Sequence, residues 1–482
     1  MRPTIFFILI AAAMPSAGAG TVTAAPAVHL DFDHAVNMTL DSSPALQESR
    51  GRLRAAHGAA TAAEGARWPH LSAGLSASRS NDPLAVFGYK LSQRRVTFAD
   101  FGANRYTGPG TLGVAPQALN YPGAYDNFNT SVQIEWPIYA GGRTSAAIAR
   151  AWAAVKAARN GDAAAHQSVI IEVLRAYEGI RAATAQLAVA RRTQSAAAAY
   201  LATARKRYTQ GTALESDVLT AQVSFGQSRL AHRTARDRLA SAREYLRILV
   251  GLPTGTAIAI GPPAEPEFPS APLVVLQGEA IAHNPTLAAL RSRVAVRRAA
   301  VSSEQAAYRP HLSLVARRDW NDRGLGLSAP SYTVAGVLSW DIFDFGTRRG
   351  AVAQATGRLD AAEARVRAAT QQLRVAVDRT WRTARVAADR VAVSSTAVEQ
   401  AGEAQRILKL RFGQGLTTIT TLLAGQARLG QAEAAGGIAH HLARECAPGH
   451  NQACMDTQAL VLRTHGGRPI RPSRDMGRLE PR

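Results

Sequence analysis

Five side chains able to hold a borderline metal ion, His440, His441, Cys446, His450 and Cys454, gather near the C-terminus of this 482-residue chain. Imidazole nitrogen and thiolate sulfur suit zinc, but structural zinc sites set their ligands in tighter pairs, so no metal centre is expected. The two cysteines, the only ones in the chain, can instead pair in an oxidising compartment or lie in a loose tail, and no disulfide framework exists to hold a fold. Two carboxylates, Glu215 and Asp217, follow a glycine in "RYTQGTALESDVLTAQ". They could line an aqueous passage, although Asp217 fits equally well as a first-turn acid stabilising its own helix N-terminus. No G-x-x-x-x-G-K-[ST], H-E-x-x-H or G-x-S-x-G occurs, so nucleotide hydrolysis, zinc proteolysis and serine hydrolysis have no apparatus. Neither an enzyme nor a bound cofactor is expected.

Composition narrows the classes further. The formal net charge is +21, with 56 Lys and Arg against 35 Asp and Glu, and aromatics make up 6%. Such a charge suits a nucleic-acid partner only when basic side chains interleave with stacking aromatics. Here the arginines are spread over helix-like segments such as "RSRVAVRRAA", which reads as a solvated helix face, and no nucleic acid is expected. At the N-terminus Arg2 precedes the apolar run Ile5 to Ala13 and small residues with A-x-A cleavage points, so residues 1–25 read as a signal peptide and the mature chain as exported. No later apolar stretch is long enough for a spanning helix. The chain is therefore soluble outside the cytoplasm or sits in a membrane as strands.

The elements that must carry any site are written twice. Pro44 matches Pro285, and the Pro-His-Leu-Ser runs at 69 and 310 match, at one shift of 241; Trp136 and Trp340, Gly211 and Gly415, and Gln222 and Gln426 share a shift of 204. The 37-residue difference between 241 and 204 is an insertion between His70 and Trp136, read as a long Gly/Pro-rich loop over residues 83–119. In the first copy, residues 26–270, period-two alternation marks strands at about 70–80 and 128–139, followed by helices at about 143–208 and 213–250 and a Pro/Gly-rich linker at 251–270. In the second, residues 271–445, strands fall at about 311–318 and 332–343 and helices at about 347–412 and 416–444. Residues 446–482 read as a basic disordered tail.

The strands carry apolar residues on one face and polar ones on the other, with aromatics at their ends: Trp136 and Tyr139, then Trp340 and Phe343. That is the pattern of a lipid-facing wall. Four strands cannot close a membrane barrel, whose smallest form has about eight. Either several chains pool their strands, or the runs form a small sheet in a soluble coiled-coil scaffold. Each first helix is proline-free and at ~1.5 Å per residue spans roughly 100 Å. Val352, Leu359, Val366 and Leu373 recur every seventh residue with Ala355, Ala362 and Ala369 between them, a narrow seam for close helix packing. Each helix ends at a matched reversal, around Gly211 and Gly415, where glycine takes the left-handed cap.

Strand, strand, long helix, tip and return helix, twice behind a signal peptide, resembles the TolC family of outer-membrane efflux proteins. The residues that carry the resemblance are Ser43-Pro44-Ala45-Leu46 and Asn284-Pro285-Thr286-Leu287, Trp136 to Arg143, the Arg-Tyr/Phe-x-x-Gly tips at 207 and 411, and Leu249 to Pro253. It covers about residues 30 to 445. The resemblance implies a mainly α fold with β: a homotrimer whose twelve pooled strands close a transmembrane barrel in outer-membrane lipid, continued by an α-helical coiled-coil periplasmic barrel. It implies a passive exit duct for a tripartite efflux pump or a type I secretion system, with an inner-membrane pump and a periplasmic adaptor (membrane fusion) protein as partners. Arg207, Tyr208, Gly211, Arg411, Phe412 and Gly415 become the adaptor-docking tip. Glu215, Asp217 and Thr421 become candidates for the pore entrance, and Trp136, Tyr139, Trp340 and Phe343 the membrane-interface aromatics. The chain departs from the family's best-known member at the gate. There acids and a tyrosine occupy the second tip, and here the matching positions are Thr421, Ala424 and Phe412.

Overall fold

The computed structural model describes residues 28–261 and 271–445. The signal peptide, part of the linker, Cys446, His450, Cys454 and the basic tail lie outside the described residues. The first copy runs β1 (Val28–Leu30), α1 (Phe32–Ser42), α2 (Pro44–Gly65), β2 (His70–Ser80), α3 (Pro83–Ser92), the short α4 (Gln117–Asn120), β3 (Tyr125–Tyr139), α5 (Arg143–Thr209) and α6 (Glu215–Val250). After β4 (Ile258–Ile260) the second copy follows as α7 (Leu273–His283), α8 (Pro285–Ala306), β5 (His311–Asp322), β6 (Pro330–Ser339), α9 (Thr347–Gly413) and α10 (Ile419–Glu445).

The two longest helices, α5 and α9, have 67 residues each and reach roughly 100 Å. Their alanine-rich sequence favours helix, and small side chains allow neighbours to approach closely. The heptad positions of α9 form its packed stripe: Ala355 is buried and Val352, Leu359, Val366 and Leu373 are half-buried. Beside each unbroken helix lies a segmented column. α6 and α2 both pack along α5, and α10 and α8 both pack along α9. α6 hands over to the first copy's short helices where the Ser42 hydroxyl donates to the Val250 carbonyl at 3.3 Å. At this waist the largest core cluster forms around Leu30, Val173, Tyr177, Ile180 and Leu246. The β1–β4 ribbon is latched there, because the Tyr177 hydroxyl donates to the Leu30 carbonyl at 2.9 Å and accepts the Gly261 N–H at 3.0 Å. A smaller matching cluster packs Leu276 and Ala280 of α7 on Val377 of α9.

The strands make one antiparallel sheet in the order β2-β3-β5-β6. Register fixes its two faces. Leu71 pairs with Ile134 and Ala73 with Val132; Ile134 in turn pairs with Ala316 and Trp136 with Leu314; Ala316 pairs with Val334 and Leu312 with Leu338. All of these share one face, since alternate residues along a strand point the same way. The other face carries Ser72, Ser76, Asn129, Gln133, Glu135, Arg317, Asp319 and Thr333. β2 and β6 are edges with no partner strand among the described residues.

Two departures from the sequence reading have clear physical reasons. The last strand stops at Ser339 rather than running to Phe343, because residues 341–345 build the start of α9. The Asp344 carboxylate accepts the Arg348 N–H at 2.8 Å and the Gly346 N–H at 3.2 Å, and Arg348 reaches back to the Asp341 carbonyl. The insertion read as a long loop is folded. α3 crosses the far end of the sheet, where buried Gln93 donates to the Asp126 carbonyl and Asn127 Oδ1, both at 2.9 Å, and to the Asp322 carbonyl at 3.1 Å. Lys90 pairs with Asp100 at 2.5 Å, and Arg94 donates to the Pro330 carbonyl at 2.7 Å.

Candidate functional site

Two places collect the residues singled out by sequence: the tips where α5 meets α6 and α9 meets α10, and the junction between sheet and helices. Each tip is a left-handed reversal. Gly211 has φ 69° and Gly415 φ 77°, values that cost a residue with a Cβ about 1–2 kcal/mol. The turns close alike, with the Thr212 N–H donating to the Arg207 carbonyl and the Leu416 N–H to the Arg411 carbonyl, both at 2.9 Å.

The tips are joined to one another through Arg207. Its Nη2 donates to the Phe412 carbonyl at 2.5 Å and to the Gly413 carbonyl at 3.0 Å, and its guanidinium lies 4.3 Å from the centroid of the Phe412 ring. Phe412 is buried in a small core with Tyr200, Leu201, Ala204, Ala221, Ile419 and Leu422. The aromatic position of the second tip thus serves as the platform for the arginine of the first. Tyr208, Arg411 and Glu215 are exposed and remain outside this contact. Asp217 spends its carboxylate locally, accepting the Leu214 N–H at 3.4 Å as the cap of α6. Thr421 does likewise at the start of α10, its hydroxyl 3.0 Å from that of Thr418.

A buried polar bridge lies about two turns behind the tips and was not read from the sequence. Gln405 Nε2 donates to the Tyr200 hydroxyl at 2.9 Å and to Gln426 Oε1 at 3.2 Å, and the Tyr200 hydroxyl donates to Gln426 Oε1 at 3.4 Å. It ties α5, α9 and α10. Burial pushes the Tyr200 hydroxyl above its ordinary pKa, with the Gln405 bond opposing the shift, so it stays a neutral donor. The repeat did pair Gln426 with Gln222, but Gln222 is exposed. Only one of the matched glutamines is used this way.

At the junction the matched tryptophans do the same thing in each copy. Trp136 Nε1 donates to the Arg67 carbonyl at 3.3 Å and Trp340 Nε1 to the Tyr308 carbonyl at 3.1 Å. Each pins a strand base to the turn that ends α2 or α8. The rings stay outward, Trp136 40% and Trp340 56% exposed, with Tyr139 46% and Phe343 73% exposed beside them. An indole with its N–H satisfied and its body outside suits a boundary between polar and apolar media. On the same face, at the other end of the apolar band, stand Phe128, Trp320 and Tyr332. Phe128 and Tyr332 fall inside the strands read from sequence, whereas Trp320 lies beyond residue 318, where β5 was read to end.

Among the described residues no helix is long and apolar enough to cross a membrane, and no three His, Cys, Asp or Glu side chains form a metal-binding group.

A family model described as outer membrane efflux protein matches residues 35–252 and 276–437, one span in each copy. The alkaline protease secretion protein AprF of Pseudomonas aeruginosa is 27% identical over 251 residues, 49% of this chain and 50% of that protein. The chain thus matches half the length of this curated relative. Among solved structures, the outer membrane protein VceC of Vibrio cholerae aligns with a TM-score of 0.71 at 20% identity, covering 88% of this chain and 95% of that one. The CmeC outer membrane channel of Campylobacter jejuni aligns with a TM-score of 0.70 at 14% identity, covering 88% and 84%. At these identities the likeness is one of fold.

Proposed function

The chain belongs to the outer membrane efflux protein family, and from that premise we propose that it is a passive outer-membrane exit duct, used by a tripartite efflux pump or a type I secretion system. The observation that carries the reading is a sheet with one apolar and one polar face and two unpartnered edges, continued by helices of 67 residues. An open apolar edge strand exposes unpaired backbone groups that lipid cannot satisfy. Three copies remove both edges when β2 of each pairs with β6 of the next. The twelve strands then close a barrel with Leu71, Val132, Ile134 and Val334 toward lipid, and the aromatics at its two ends meet the two interfaces.

In this assembly the helical columns join into a hollow periplasmic tube. The tips around Arg207, Tyr208, Gly211, Arg411, Phe412 and Gly415 form its far end, where a periplasmic adaptor docks and an inner-membrane pump supplies energy. Glu215 remains the free acid of the entrance, because the Asp217 carboxylate caps α6 and the Thr421 hydroxyl is engaged with that of Thr418. AprF is named for secretion of an alkaline protease, which supports keeping polypeptide secretion beside small-molecule efflux.

The test is negative-stain imaging of particles extracted with detergent from the outer-membrane fraction. Hollow threefold particles with a tube of roughly 100 Å are expected. Thin rods, or protein confined to the soluble fraction, would replace the duct with a soluble coiled-coil scaffold.

A further inference from the structure

Above the waist the helices form a layer in the order α2, α5, α8, α9, each packed on the next. The layer is curved, because α2 and α9, at its opposite ends, both line one groove of about 1080 Å³. A groove reached by both outer helices lies on the concave face. Its floor is small and apolar, with Ala158 and Gly161 of α5 and Ala362 of α9. Its cationic side chains are Arg52 from α2, Arg293 and Arg297 from α8, and Arg358 and Arg365 from α9.

The two acids in the same lining are already committed. Glu48 pairs with Arg52 at 2.5 Å, and Glu172 accepts the Tyr245 hydroxyl at 2.7 Å. Arg293, Arg297, Arg358 and Arg365 have neither an ion pair nor a side-chain hydrogen bond among the described residues. Around the next face of the same helices the pattern is different, since Arg298 meets Glu363 at 3.4 Å. Acid is present on α9 but not on this face. Arg293 and Arg297 stand one helical turn apart and Arg358 and Arg365 two turns, about 6 and 10 Å along the axes. Guanidinium forks match carboxylate and phosphate oxygens in pairs, and such charge-assisted bonds are the strong ones.

We infer that this groove binds multivalent organic anions, molecules with two or more carboxylate or phosphate groups on an apolar body, and that such molecules are the cargo class of the duct. The cargo assignment rests on the duct reading, which makes the concave face the inner wall of the tube. Unpaired guanidinium groups then face the passing solute, repelling cations and concentrating anions. The apolar floor accepts the body of the molecule.

The test uses the full chain in detergent and benzene-1,3,5-tricarboxylate as probe. Calorimetric titration at low ionic strength should show binding by the natural protein. The variant carrying Arg293→Gln, Arg297→Gln, Arg358→Gln and Arg365→Gln should bind at least about tenfold more weakly. Glutamine is a good helix former and all four positions are exposed, so the fold is retained. Arg298→Gln, on the adjoining face, should bind like the natural chain. In planar bilayers under a potassium chloride gradient, the natural chain should show the reversal potential of an anion-preferring pore, and the fourfold variant's should move toward zero. Undiminished binding by the fourfold variant, or cation preference in the natural chain, overturns this inference and leaves the duct standing. Trimers that bind the probe but carry no current overturn the duct and with it the cargo assignment.

Discussion

Replacing Arg207 by alanine should loosen the second tip from a distance of 205 positions in sequence. The side chain makes two hydrogen bonds from one nitrogen, to the carbonyls of Phe412 and Gly413, and lies over the Phe412 ring. A charge-assisted bond to a carbonyl contributes about 1.5 to 3 kcal/mol when well shielded. Arg207 is half-exposed and both bonds share one donor nitrogen, so the low end applies to the pair. The ring contact adds about 0.5–1 kcal/mol at such a site. The total is about 2–2.5 kcal/mol, and at ~1.4 kcal/mol per factor of ten this is roughly a 30- to 60-fold change in a local equilibrium. The assay is hydrogen exchange of the detergent-extracted protein, followed at the amides of Gln414, Gly415 and Leu416, whose bonds to Leu410, Phe412 and Arg411 close the turn. These amides should exchange faster by that factor in Arg207→Ala. Arg207→Lys should fall between, keeping the charge without the planar fork. Exchange near the waist, at Val173 and Tyr177, should not change. Equal exchange at 414–416 in the natural chain and in Arg207→Ala would refute the clamp.

Val334→Arg places a charge on the apolar face of an edge strand, at a cost of about 2–4 kcal/mol near the bilayer midplane, while Thr333→Arg places it on the polar face. Fractionation should find the first depleted from the outer membrane and the second retained, and equal behaviour would contradict the assignment of faces. Tyr200→Phe removes the nearer acceptor of Gln405 and should cost about 1 kcal/mol, read as roughly fivefold faster exchange in α10 around Gln426 and unchanged exchange in the sheet. In the insertion, the Lys90 side chain and the Thr97 N–H hold the Asp100 carboxyl below its ordinary value of 3.8. A carboxyl lowered in the folded state stabilises above its unfolded value and loses that contribution as pH falls through the folded one. Limited proteolysis of residues 95–116 should therefore stay slow from neutral pH down to about 4 and quicken only below that, whereas Asp100→Asn should be cut rapidly even at neutral pH. If Asp100→Asn proved as resistant as the natural chain, the ion pair would not be what holds the insertion.

Much of the architecture was legible because it rests on local periodicity. The alternation of Leu71 to Ala77 and Val132 to Trp136, and the heptads of α9, need only neighbours in sequence. The reversals at Gly211 and Gly415 are legible for the same reason, since a left-handed cap is a property of one residue. The shorter helices before each first strand were harder to read, because α1 and α7 have only 11 residues each and bury few of them. The insertion was read as a loop from its Gly and Pro content. What folds it is Gln93 reaching three partners on β3 and β5, contacts that exist only once the sheet is formed. The union of Arg207 with Phe412 and the bridge from Tyr200 through Gln405 to Gln426 were hidden for the same reason, as each joins residues about 200 positions apart. The arginines of the concave groove were visible as charge, but their convergence depends on how α8 and α9 face one another.

The waist has a mechanical consequence. α5 and α9 pass it as unbroken rods, whereas the columns beside them change helices there, at Ser42 and Val250 in the first copy. Continuous helices resist stretching through their whole ladder of hydrogen bonds. Segmented ones meet through side chains and a single hydroxyl contact, which slide more easily. A wall alternating the two kinds is stiff along its axis and compliant in torsion, like a bundle of rods with every second rod jointed at one height. Images of such tubes sorted by conformation should differ by rotation of the tip half about the axis while their length stays constant. Variation in length with no rotation would mean that the joints carry no motion.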